Sequence, residues 1–138
     1  MSGVSRDWRT ILPRVALLGY VALIIFLSSR PHLDSPIQFP LWDKVAHLIE
    51  YGLLGWLGTQ VLASFEPGRR RWRPLTGMGF VLAAGLLIGL IDEGVQSRVQ
   101  GRDASLADLA SDIIGVWLGW GLARMGSRRG NSARAGEA

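Results

Sequence analysis

Four apolar runs in this chain are each long enough to cross a bilayer, and that feature removes most soluble folds from consideration. They cover residues 11–27, 45–65, 75–91 and 106–125. A helix needs roughly 20 residues to cross about 30 Å of hydrocarbon. Backbone polar groups find no partner in lipid, so a spanning segment is either a helix or part of a closed barrel. Barrel strands are shorter and alternate in polarity, which these runs do not. The expected fold is therefore all-α, an integral membrane bundle of four transmembrane helices. Residues 1–125 form that domain. Residues 126–138 are Gly, Ser, Arg and Ala in no periodic order, and are expected to be a disordered, basic cytoplasmic tail. Cysteine is absent, which excludes disulfides and thiolate metal sites.

The basic residues set the orientation. Eleven of the 15 lysines and arginines lie in the N-terminal segment, the second loop and the tail. The first and third loops hold only Arg30, Lys44, Arg98 and Arg102. Cytoplasmic loops carry the excess of positive charge, so both termini are expected in the cytoplasm. The protein is then expected to be a multi-pass membrane component, in the inner (plasma) membrane if the source is bacterial. Topology accounts for the net charge of +4, and no nucleic-acid partner is expected. The first run is read as an uncleaved signal anchor, because Ser28-Ser29-Arg30-Pro31 makes a poor cleavage site. Trp8, Trp42, Trp72 and Trp120 fall near interfaces, whereas Trp56 and Trp117 lie inside spans and are expected to pack.

Glycine recurs at small-xxx-small spacing. Gly85 and Gly89 form such a pair in the third run and Gly115 and Gly119 in the fourth, while Gly52, Gly55 and Gly58 line the second. Apolar side chains gain little by leaving lipid for protein, so close backbone approach must hold the helices together. The second, third and fourth helices are expected to form the tight core, with the first more peripheral.

Against this apolar background, the remaining charge gathers at one end. A helix advances about 100° per residue. Asp43, His47, Glu50 and Tyr51 therefore share a stripe of the second helix, as do Asp108 and Asp112 on the fourth. Asp92, Glu93 and Gln96 close the third. Polar groups at this depth are stranded if they face lipid, so the three stripes are expected to face one another, on the extracytoplasmic side. Local roles compete for some of them. Asp43 stands where a helix N-cap belongs, and Ser105-x-x-Asp108 has the form of a capping box. Lys44 and Arg102 could serve as snorkelling partners of these acids. Glu50 and Asp112 lie beyond any cap. The end holds seven acids, Asp43, Glu50, Asp92, Glu93, Asp103, Asp108 and Asp112, against Lys44, Arg98 and Arg102. Protons, a divalent metal ion or a cationic ligand group must balance the surplus.

The order Asp43-Lys44-x-x-His47-x-x-Glu50-Tyr51-Gly52-x-Leu54, Asp92-Glu93-x-x-Gln96, Gly101-Arg102-x-x-Ser105-x-x-Asp108, Ile114-Gly115 resembles that of the VanZ-like family of small bacterial membrane proteins. Ser28-Ser29 also fits that pattern. The family pattern commonly has Asn four residues after its last aspartate, where this chain has Asp112. The resemblance implies a role at the cell envelope linked to resistance to glycopeptide antibiotics, teicoplanin in particular.

Three functions fit these residues. In the first, the polar end binds or remodels an envelope lipid or lipid-linked glycan, with Lys44 and Arg102 on phosphate and the carboxylates on amines, hydroxyls or a bridging cation. Asp43, Tyr51, Asp92, Gln96 and Ser105 complete that binding surface. In the second, the end is a membrane-surface enzyme in which His47, Glu50, Glu93, Asp108 and Asp112 supply acid–base or metal chemistry. No nucleophile or P-loop motif supports that function. In the third, Glu50 and Asp112 carry protons in a lipid or antibiotic transporter, which with four helices would need a homo-oligomer.

Overall fold

The computed structural model describes residues 4–31, 41–65, 73–100 and 105–135. These form four helices and no strand: α1 (Val4–Ser28), α2 (Trp42–Ser64), α3 (Pro74–Gln96) and α4 (Leu106–Ala135). Three segments are long and apolar enough to cross a membrane, Thr10–Ser28, Pro74–Gln96 and Leu106–Ser127. Helix α2 matches α3 at 23 residues but is less apolar, because Asp43, Lys44, His47 and Glu50 occupy its first half. It packs against all three other helices, as α3 also does, and makes its largest contact with α4.

Two boundaries differ from the sequence expectation. Helix α3 opens on Pro74, which needs no N–H partner in a first turn, and runs on through Gln96. Asp92, Glu93 and Gln96, expected to close the third helix, are helical and buried, and only the apolar run at residue 91 stops short of them. Helix α4 continues ten residues past 125, so the segment 126–135, expected to be disordered, is helical. Arg128, Arg129, Ala133, Arg134 and Ala135 favour the helix over the glycines, serines and asparagine between them, and the segment only extends a helix already nucleated upstream. Ser127 reinforces it by donating to the Ala123 carbonyl at 3.0 Å.

Inter-helix contacts fix the directions. Lys44 reaches Asp108 and His47 reaches Asp112, so α2 and α4 run parallel. The Tyr20 hydroxyl donates to the Glu50 carbonyl at 3.0 Å, and the Arg14 guanidinium lies 4.1 Å from the centre of the Phe65 ring. These two contacts make α1 antiparallel to α2. Glu93 meets Ser105 and Gly85 meets Val116, which sets α3 antiparallel to α4. The start of α1 and the end of α4 therefore lie at one end of the bundle, and the polar residues lie at the other.

The α2–α4 contact is the most extensive, and glycine makes it so. A Cβ on Gly119 would collide with the Gly52 carbonyl oxygen and sit 2.8 Å from the Trp56 nitrogen. One on Gly115 would lie 2.9 Å from the Gly52 nitrogen, and one on Gly55 would run into the Val116 backbone. Here two helix backbones touch. Contacts with α3 differ: a Cβ on Gly85 of α3 would meet the Val116 side chain at 2.6 Å, and one on Gly58 of α2 would have ordinary room beside Val81 of α3.

Helix α1 contacts α2 and α3 but not α4, as its expected peripheral place requires. It still contributes to the core, where fully buried Ile24 joins Tyr51, Leu54, Val81 and Val116. Trp56 and Trp117 do not pack as expected. Both are exposed on the outer surface, where an indole is at home against lipid.

Candidate functional site

The polar end grades from an open rim to a buried floor. At the rim, Lys44 is 32% exposed, and its ammonium bonds the Asp108 carboxylate and, at 3.3 Å, Asp43. Asp108 itself is only 4% exposed, so this pair links solvent to the interior. One turn deeper, His47 Nδ1 lies 2.8 Å from Asp112 Oδ1. The Tyr51 ring stacks on the same side, its centre 6.3 Å from that of His47 and its plane nearly parallel at 12°. Its hydroxyl donates to Asp92 Oδ2 at 3.2 Å, and Gln96 donates to the same oxygen at 3.2 Å. Three helices thus contribute to one continuous polar chain, as the facing stripes required.

The opening of α4 is built across helices. The Ser105 backbone N–H donates to Glu93 Oε2 at 2.7 Å. In a capping box the helix's own fourth residue supplies that acceptor. Here Glu93 of α3 takes the place, which leaves Asp108 to hold Lys44. Asp43 is not an N-cap either. Leu41 occupies that position without a side-chain bond, and Asp43 sits in the first turn, where a carboxylate complements the helix dipole.

Three carboxylate oxygens at the floor, Asp92 Oδ1, Glu93 Oε1 and Asp112 Oδ2, are buried with no hydrogen-bond partner among the described residues. Donor atoms of His47, Glu93 and Asp112 fall within 4.8 Å of one another, as do those of Asp43, His47 and Asp108. Glu50 stands apart from both groups: it is half-buried on the flank of α2 that meets α1, where Tyr20 bonds its carbonyl. Arg102, expected at this end, lies outside the described residues, as does Asp103.

Gly89 is one residue that the spacing of the polar types did not reveal. A Cβ there would stand 3.1 Å from Asp112 Oδ2 and 3.6 Å from the Tyr51 ring. Its absence lets the α4 carboxylate and the α2 ring close over α3. The available signal was position, since Gly89 precedes Glu93 by one turn on the same face.

A family model described as VanZ/LLP1 matches residues 6–127. The chain belongs to the VanZ-like family. No curated protein and no solved structure matches it. The match takes in all four helices up to Ser127, and with them every member of the polar chain. In this VanZ-like protein the polar motif residues of α2, α3 and the start of α4 gather at one end of the bundle, with Glu50 turned toward α1 and Gly101 and Arg102 outside the described residues. Membership and the three apolar segments together make it a membrane protein.

Proposed function

We propose that the polar end holds the headgroup of an envelope lipid or lipid-linked glycan at the extracytoplasmic face of a bacterial plasma membrane. That binding would underlie the glycopeptide (teicoplanin) resistance with which the VanZ-like family is associated. The observation that carries this is the Lys44–Asp108 pair. Lys44 is the only lysine in the chain and stands half-exposed above a buried acidic floor. An ammonium at a rim gives a phosphate a charged partner, while the carboxylates below suit amines and hydroxyls. Native mass spectra of gently purified protein test it. A defined lipid adduct is expected on wild type and is expected to be lost from the charge-balanced Lys44→Met/Asp108→Asn variant. Bare wild type, or an adduct that survives the double change, counts against headgroup binding.

A second function, a membrane-surface enzyme, has its own supporting observation. His47 bonded to buried Asp112 has the form of an oriented base, a ring nitrogen held by a carboxylate. The two functions separate on turnover. Incubation leaves the bound molecule's mass unchanged if the site only binds. It alters that mass if the site is catalytic, and His47→Gln then abolishes the alteration while the adduct remains.

A further inference from the structure

The buried floor has a charge problem that its own hydrogen bonds do not solve. Asp112 is 0% exposed and Glu93 8% exposed, and each turns one unpartnered oxygen into the protein. Both are acceptor-only groups when ionised, a buried carboxylate without a counter-charge is costly, and the cation within reach among the described residues is His47 itself when protonated, one charge against two. His47 lies against them and is 7% exposed. Among the described residues no lysine or arginine bonds any of the three.

We propose that His47, Glu93 and Asp112 bind one divalent transition-metal ion. The donor set is one imidazole nitrogen and two carboxylates, which suits ions such as Zn²⁺ and Mn²⁺ better than the all-oxygen sites of Ca²⁺. Two carboxylates balance a 2+ ion if the imidazole is neutral, as a ligand must be. The geometry agrees. Donors about 2.1 Å from one ion and about 90° apart lie roughly 3 Å from each other. His47 Nδ1 and Asp112 Oδ1 are 2.8 Å apart. All three donors fall within 4.8 Å of one another, so a small side-chain adjustment brings them inside the roughly 4.2 Å that two donors on one ion can span. Ser105 N–H on the other Glu93 oxygen fixes that carboxylate's orientation, as outer-shell partners of metal ligands do. The neighbouring group of Asp43, His47 and Asp108 is the poorer site, because Lys44 already neutralises Asp108 and would repel a cation. Three protein ligands leave further positions open to water or to a phosphate oxygen. Metal binding does not rest on the headgroup function and is read without lipid substrate.

The test uses full-length protein in detergent, stripped with a chelator and titrated with Mn²⁺ by electron paramagnetic resonance, with Zn²⁺ followed by elemental analysis after dialysis. The expected result is about one ion per chain with ¹⁴N coupling from a bound imidazole. Asp112→Asn and Glu93→Gln should each weaken binding by about tenfold or more. Lys44→Met/Asp108→Asn should leave it within about twofold. Wild type that binds no more metal than Asp112→Asn overturns the proposal. So does bound Mn²⁺ without nitrogen coupling, a criterion that needs no variant to fold. Equal loss in the Lys44→Met/Asp108→Asn protein moves the site to the rim and overturns it as well.

Discussion

Asp108 shows how little freedom a charge has at this depth. Its carboxylate is almost fully buried, and its bonded cation is Lys44. Lys44→Ala removes the cation and strands the anion, which should destabilise the protein by about 2 kcal/mol or more. Adding Asp108→Asn should recover most of that loss, because a neutral amide is far cheaper to bury. Thermal melts of the two variants in one detergent would check both steps, and no recovery in the double variant would mean that Asp108 is held by something else. Much of this was legible beforehand. Spacing along an α-helix placed His47 beside Tyr51 and Asp108 beside Asp112, and the cost of polar groups in lipid turned those stripes inward. Two features were not legible. Glu50 sits a fraction of a turn off the shared stripe and falls to the α1 side, a difference decided by how the helices rotate against each other. The capping box looked complete within α4, yet the acceptor for Ser105 came from Glu93, 12 residues upstream on another helix. Local motifs cannot report a partner supplied by tertiary packing.

Among the helices, the glycines divide into two kinds that look alike in sequence. Gly119 lies against backbone atoms, which cannot rotate away, whereas Gly79 faces open space. Gly119→Ala should force α2 and α4 apart and destabilise by about 3 kcal/mol or more, at the upper end of overpacking costs. Gly79→Ala should instead stabilise by about 0.5–1 kcal/mol, because alanine is the better helix former where nothing crowds it. Opposite signs from the same substitution, read as shifts of the melting midpoint, make a sharp comparison. A tolerated Gly119→Ala would rule out the close α2–α4 seam. The small-xxx-small pattern announced that helices approach closely. It did not say that α2 and α4 make the backbone contact while α3 meets them through side chains, since that depends on which glycine faces which helix.

For the molecule as a whole, hydropathy was enough to give four helices and a polar end, because lipid leaves the backbone so few choices. It was less able to place helix ends, where α3 and α4 extend beyond their apolar runs. The parallel pairing of α2 with α4 also has a consequence for how the protein is made. Lys44, His47 and Glu50 enter the membrane on a helix whose partner has not yet been synthesised. Asp and Lys near a helix centre each cost about 2.5–3.5 kcal/mol on insertion, and less toward the ends. The groups that answer Lys44 and His47, namely Asp108 and Asp112, emerge some sixty residues later on α4. A chain stopped after α3 should therefore leave α2 incompletely inserted, and supplying α4 should drive it fully across. Acceptor sites for glycosylation placed in the first and second loops would report this during synthesis in microsomes, and full insertion of α2 in the shortened chain would contradict it. A helix made later in synthesis, α4, is thus expected to complete the insertion of α2.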